Sequence, residues 1–153
     1  MRTIVKTANR LGIDIDRTDD HALLKECAAW LGTPYAYGGN TKQGVDCSGF
    51  TCAIYNNVYG VQLHRRSRDQ YEKDVRRKKK GALQMGDLVF FSTSGSGNVC
   101  GHVGIFLKDG KFVHASSSRG VVVDRLESNY FVRHWLSGGE VKAKPAKDKK
   151  AKK

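Results

Sequence analysis

Proline and acid are scarce in this chain, and long apolar stretches are missing. Only 2 of 153 residues are Pro while 17 are Gly, and 39% are hydrophobic, which excludes collagen-like and proline-rich chains and fits one globular domain with many turns. No apolar run approaches the ~18 residues of a membrane span. The start, Met1-Arg2-Thr3-Ile4-Val5-Lys6, has no apolar core of a signal peptide, so the expectation is a soluble domain from which any export leader has been removed. None of the 4 cysteines forms a CxxC pair, and Cys100-Gly101-His102 alone is too little for a structural zinc site.

Acidic residues number 15 against 27 Lys and Arg, a net charge of +12. Residues 141–153 carry a net +6 and residues 64–80 another +6, leaving the remainder neutral. A nucleic-acid-binding fold would spread base over its working face, so this pattern reads as two local additions to an ordinary domain.

Residues 1–17 have weak periodicity and read as an N-terminal arm. A helix should begin at Thr18-Asp19-Asp20, carry Leu23, Leu24, Cys27, Ala28 and Leu31 on one side, and stop at Gly32-Thr33-Pro34. Tyr35 to Gly44 reads as a loop. Asp46 then suits the cap of a second helix ending near Gly60, with Cys47 in its first turn. A short third helix from Ser67 to about Val75 and a basic loop Arg76 to Lys80 follow. From Gly86 the period shifts toward 2, with strands expected at 87–92, 102–107, 111–115, 120–125 and 130–136. Helices first and strands afterwards give an α+β domain with an antiparallel meander over residues 18–140, and the Lys-rich 141–153 reads as a disordered tail.

Cys27 and Cys52 read as small core residues, with a disulfide open to the chain in an oxidising compartment. Cys47 differs, because a Gly-rich loop delivers it to a helix N-terminus, where free N–H groups favour a thiolate and lower the thiol pKa. By position it is equally a nucleophile or a small first-turn residue. Its candidate bases are His102 and His114, since His21, His64 and His134 lie in polar or basic segments. A two-residue Asp109-Gly110 turn would set His114 opposite Ile105 and put the histidines on opposite faces. A three-residue turn Lys108-Asp109-Gly110, with Gly110 left-handed, sets His114 opposite Gly104. Both histidines then share a face as diagonal neighbours ~7 Å apart. The second helix would pack on that face and complete a Cys-His-His triad: Cys47 attacks a carbonyl, His102 moves the proton and His114 orients His102. The Cys47 N–H and a group from the Tyr35 loop would hold the oxyanion.

The segments Gly32-Thr33-Pro34-Tyr35-Ala36-Tyr37-Gly38-Gly39, Asp46-Cys47-Ser48-Gly49-Phe50, Gly86-Asp87-Leu88-Val89-Phe90-Phe91, His102-Val103-Gly104-Ile105 and Phe112-Val113-His114-Ala115 closely resemble, in order and spacing, the motifs of the NlpC (p60) family of bacterial cell-wall cysteine peptidases. The likeness runs from about Leu23 to Trp135 and is greatest to the family's single-domain murein endopeptidases. It implies a papain-like α+β fold, with N-terminal helices on a five- to six-stranded antiparallel sheet. It also implies hydrolysis of peptidoglycan stem peptides without metal or cofactor, in the periplasm or wider cell envelope, by a secreted or lipid-anchored protein that is monomeric and binds no specific nucleic acid. By motif match Cys47 is the nucleophile, His102 the base and His114 the third member, while Tyr35, Asp46 and Ser48 fall where relatives contact substrate. Tyr37 is left as a loop-packing aromatic. His64 stands where relatives commonly have Pro, and Cys100 shares strand parity with His102.

Two other readings use the same residues. An acyltransferase, or an amidase of the sugar-to-peptide bond, would share the thioester chemistry. A non-catalytic binder would hold anionic envelope polymer through the Lys/Arg-rich segments. For the scissile bond the resemblance implies D-glutamyl to diaminopimelate, the family's commonest target, or the D-alanyl to diaminopimelate cross-link.

Overall fold

The computed structural model describes residues 2–93 and 99–145, with side chains from residue 5 onward. The expected arm is a helix, α1 (Arg2–Leu11), which packs on the next helix and buries Leu11 and Ile13 behind it. Ile4, Ala8 and Leu11 recur at i, i+4 and i+7, a helical spacing that reading the segment as an arm passes over. Helix α2 (His21–Trp30) starts as expected at Asp20, whose carboxylate accepts the Leu23 N–H at 3.1 Å, and buries Leu23, Leu24, Cys27 and Ala28. The following loop contains a small hairpin of β1 (Asn40–Thr41) and β2 (Gly44–Val45). Helix α3 (Cys47–Tyr59) is capped by Asp46 and ends at Gly60, whose φ of 67° is the left-handed stop that glycine allows.

The short third helix is present as expected, as α4 (Ser67–Asp69) continued by a π-helical turn, Gln70–Asp74. Two later segments differ from expectation. The basic stretch is then an edge strand, β3 (Val75–Lys78), rather than a loop. Strands β4 (Leu88–Ser92), β5 (Cys100–Phe106), β6 (Lys111–Ser116) and β7 (Gly120–Arg125) form the expected meander. The aromatic run at 130–134 is helical, as α5 (Asn129–His134), because Tyr130 and His134 stack at i, i+4 and Phe131 turns into the core. β8 (Trp135–Val141) carries the strand through position 141, so the strand takes the first residue assigned to the tail, and Lys142 bonds back to the Asp74 carbonyl. Residues 142–145 of that tail are also ordered, with Lys144 donating to the Met85 carbonyl and lying over the Tyr59 ring; residues 146–153 lie outside the described residues.

The sheet is six-stranded and antiparallel, in the order β3-β8-β4-β5-β6-β7. Strand alternation gives it two apolar faces. Leu88, Phe90, Val103, Ile105, Val113 and Ala115 join Phe50, Ile54 and Leu24 of the helices in the main core. Val89, Phe91 and Phe112 face the other way, under Phe131 of α5 and Leu126.

β3 lies tight on β8 because Gly139 has no side chain. A Cβ there would come 2.5 Å from Val75 Cγ2. Gly139→Ala should therefore lever β3 from the sheet and destabilise the fold by about 1–3 kcal/mol, measured by urea unfolding.

Candidate active site

The Asp46 carboxylate organises the start of α3. Oδ1 accepts the Gly49 N–H at 2.7 Å, and Oδ2 accepts the Gly38 N–H at 2.8 Å, tying the glycine-rich loop to the helix. The Arg65 guanidinium lies against the same carboxylate, 3.0 Å from Oδ1 and 3.2 Å from Oδ2, and also donates to Ser48 Oγ at 2.9 Å. Asp46 and Ser48, singled out as substrate contacts, are buried and joined by Arg65, which the site list from sequence omitted. The signal is Arg65 itself, next to the His64 that stands where relatives commonly have Pro. Spacing could not foresee the His64 substitution's effect. The His64 N–H, which proline lacks, donates to Asp74 Oδ2 at 2.7 Å and holds this loop.

Cys47 is in the core cluster at 8% exposure. Burial pushes its thiol up to about 11, and the backbone N–H groups of Val103, Ser48 and Cys47 pull only partly the other way. This corrects the expectation of a lowered pKa: at this helix N-terminus desolvation outweighs the N–H groups. Burial also raises the Tyr35 phenol, with the Cys47 thiolate adding to the effect, so Tyr35 is a protonated donor close to the thiol. Tyr37 packs against nothing, at 93% exposure, and is not the loop-packing residue expected.

The hairpin joining β5 to β6 takes the register that unites the histidines, with Ile105 opposite Val113 and Phe106 opposite Phe112. Asp109 and Gly110 are both left-handed, the Lys111 N–H closes onto the Lys108 carbonyl, and the Leu107 N–H meets the Lys111 carbonyl. Leu107 and Lys108 thus lie together opposite Lys111, and this extra residue sets the register. Gly104 leaves the space foreseen, since a Cβ there would stand 3.0 Å from His114 Cβ. His102 Nε2 and His114 Nδ1 are 2.8 Å apart with their rings nearly perpendicular.

One expectation of packing fails. The histidines belong to the face of Phe91, Phe112 and Phe131, all in ring contact with one or both of them, whereas α3 covers the opposite face. Cys47 therefore approaches the histidine strand from the other side. Its meeting point is the Val103 N–H, next to His102, where β5 and β6 have left the ladder that ends at Ile105. Burial, then the neighbouring His114, lowers His102 to about 3, so its imidazole is neutral at rest. Beyond His114 stand two groups sequence reasoning missed: Asp124 Oδ2, 2.7 Å from His114 Nε2, and Arg119, which donates to both oxygens of Asp124. Asp124 is the one acid in the apolar strand Gly120-Val121-Val122-Val123-Asp124, and that was its signal.

The other cysteines are free thiols. Cys27 is core, as read. Cys52 is only half-buried, under the carbonyls of Leu63 and His64. A bulge between Phe91 and Ser92 reverses the parity assumed for Cys100, which faces α3 and the main core. A cleft of about 610 Å³ runs along the outer side of α3; it includes Gly49 and Arg65 but neither Cys47 nor the histidines.

Residues 32–140 match the model of the NlpC/P60 family. The chain is similar to a probable endopeptidase NlpC homolog of Haemophilus influenzae, 37% identical over 122 residues, covering 80% of this chain and 63% of the relative. A relative from Escherichia coli K12 named murein DD-endopeptidase MepS/murein LD-carboxypeptidase is 36% identical over 74% of this chain and 58% of its own length. The chain thus spans about three fifths of these curated relatives. A crystal structure of an NlpC/P60 family protein from Bacillus cereus superposes with a TM-score of 0.72 at 31% identity, over 79% of this chain and 39% of that one.

With the Cys47 thiol neutral at rest, its alkylation by iodoacetamide should accelerate about tenfold per pH unit from pH 7 to 9.5. Peptide mapping by mass separates it from the other thiols. A rate already level from pH 6 would mark a thiolate–imidazolium pair and contradict this charge state.

Proposed function

The chain belongs to the NlpC/P60 family, and from that footing we propose that it is a cell-wall hydrolase, a cysteine endopeptidase cutting amide bonds in peptidoglycan stem peptides. The observation that carries the reading is the alignment of a buried helix-terminal thiol at Val103 with the hydrogen-bonded pair His102 and His114 on the adjoining strand. Cys47 gives its proton to His102 as Sγ attacks the scissile carbonyl, forming the C–S bond. The oxyanion is held by the Cys47 N–H, with the Tyr35 phenol as the second donor. Collapse breaks the C–N bond, and the proton on His102 goes to the leaving amine. Water, deprotonated by His102, then releases the acid and restores the thiol.

Arg65, held by the buried Asp46 and Ser48, gives the site a cationic rim suited to a carboxylate end group of a stem peptide. Of the two scissile bonds, the name murein DD-endopeptidase borne by the Escherichia coli relative favours the D-alanyl to diaminopimelate cross-link. The protein's place in this reading is the cell envelope.

The basic residues supply a second contact in this reading. Arg77, Lys78, Lys79 and Lys80 line a cavity of about 420 Å³ with Trp135, Leu136 and Ser137 at the β3 edge. Arg77 stacks on Tyr71 and Lys80 on Trp135, while Lys78 is bound to Asp87. The stacked cations face anionic envelope polymer and hold the enzyme to its insoluble substrate.

Defined muropeptides incubated with the protein should yield products, identified by mass, that Cys47→Ala fails to form. Intact sacculus binding without any product would make the chain a binder instead. Changing Arg77, Lys79 and Lys80 to Ala should weaken sacculus binding in low salt and leave turnover of a small muropeptide unchanged; loss of that turnover would count against the polymer contact.

A further inference from the structure

Behind the two histidines the hydrogen bonds continue in one line, and the donor at every step is fixed by chemistry. Arg119 has donors only. It gives Nη1 to Asp124 Oδ1 at 3.2 Å and Nη2 to Oδ2 at 2.7 Å. Asp124 accepts only, and the two partners hold its carboxyl well below the usual carboxylate range. His114 Nε2, 2.7 Å from Asp124 Oδ2, must therefore carry the proton. A neutral His114 then has a bare Nδ1, which accepts from His102 Nε2–H at 2.8 Å. The remaining nitrogen of His102, Nδ1, is left with its lone pair free.

We propose that Arg119 and Asp124 are positioning residues that set the tautomers of His114 and His102, so that His102 Nδ1 is the proton acceptor for Cys47. Register places them for this role. Asp124 is opposite Phe112 on β7, one diagonal from His114 on the same face, and Arg119 reaches back from the turn before that strand.

Arg119 has a second effect that a lone aspartate would lack. Asp124 by itself would draw a second proton onto His114 and make an ion pair. A doubly protonated His114 would present Nδ1–H to His102, force His102 Nε2 to accept, and move the His102 proton onto Nδ1, where the base is needed. Burial opposes that protonation, and so does the guanidinium, which works against the pull of Asp124 on His114. The groups facing His114 are His102 from β5, Asp124 from β7 and Arg119 from the turn, with Phe112 and Phe131 rings on the remaining sides. Those about His102 are His114, the ring of Phe91, and the thiols of Cys100 at its carbonyl and Cys47 at the adjoining Val103 amide.

The proposal rests on the hydrolase reading for its catalytic consequence but not for its tautomers, so two measurements separate them. The first is imidazole ¹⁵N NMR on the intact protein, which reports the protonated nitrogen of each ring. The expected result is Nε2–H on both His102 and His114. In Asp124→Asn the single amide oxygen is claimed by Arg119, which turns the NH₂ group toward His114 Nε2 and reverses the line, giving Nδ1–H on both rings. Asp124→Ala removes the partner without imposing a reversal.

The second measurement is turnover of a soluble muropeptide. Asp124→Asn should lose on the order of 10²–10⁴-fold in kcat with KM little changed, the range expected of a histidine held in the wrong tautomer. Asp124→Ala should lose about tenfold, so the conservative change is the more damaging one. Arg119→Met should move the acid limb of the kcat/KM profile to higher pH, because His114 then protonates more readily. Unchanged ring protonation in Asp124→Asn, or a reversed line with kcat intact, would overturn the proposal. So would an unmoved acid limb in Arg119→Met, the variant that also decides the matter if Asp124→Asn does not fold. A wild type without turnover would defeat the hydrolase reading, and ¹⁵N NMR alone would then judge the tautomers.

Discussion

The hydrogen bond between His102 Nε2 and His114 Nδ1 is the constraint on which the arrangement of this site depends. It requires that β5 and β6 pair in one register only, since a shift of a single residue would turn His114 to the other face. That register comes from the left-handed Asp109 and Gly110 together with the doubled position at Leu107 and Lys108. It also requires a residue without a side chain at position 104. The aromatic cover of Phe91, Phe112 and Phe131 then dries the pair, which is why its charge state is neutral and its donors are fixed.

A neutral resting site has a consequence for how catalysis is divided between residues. A permanently charged thiolate would be costly where Cys47 lies, so in the proposed reaction the proton would move with the attack instead of before it. The N–H groups of Val103, Ser48 and Cys47 already favour negative charge on sulfur, and burial holds that charge off until a carbonyl arrives. Asp46 shapes this place without touching the thiol. By binding Gly38, Gly49 and Arg65 it fixes the loop, the helix start and the rim in one contact set. An aspartate cap of this kind commonly contributes ~1 kcal/mol to its helix, and here it also sets where the Cys47 thiol stands.

Much of this was legible in the residues. The caps at Asp20 and Asp46 announced α2 and α3, and the β5–β6 turn narrowed the histidine geometry to two registers. One of those registers puts His102 and His114 on a shared face, but neither tells that the helices cover the other one. That choice belongs to Val103, Ile105, Val113 and Ala115, whose apolar face is the larger and takes α3. Local pattern failed where tertiary contact overrides it: Val75 to Lys78 forms a strand because Gly138 and Gly139 of β8 admit it, and Asn129 to His134 forms a helix although its residues favour strand. Asp124 and Arg119 escaped notice because their meaning depends on a third strand's register, which no turn residue in the sequence specified.

If the chain is the hydrolase proposed, the acyl half of a stem peptide becomes covalently bound to Cys47. Intact-mass spectrometry of an acid-quenched reaction with a soluble muropeptide addresses it without inference from rates. The account predicts an adduct equal in mass to that acyl half, mapped to Cys47 and absent from Cys47→Ala. Turnover that proceeds with no adduct, and that persists in Cys47→Ala, would contradict it.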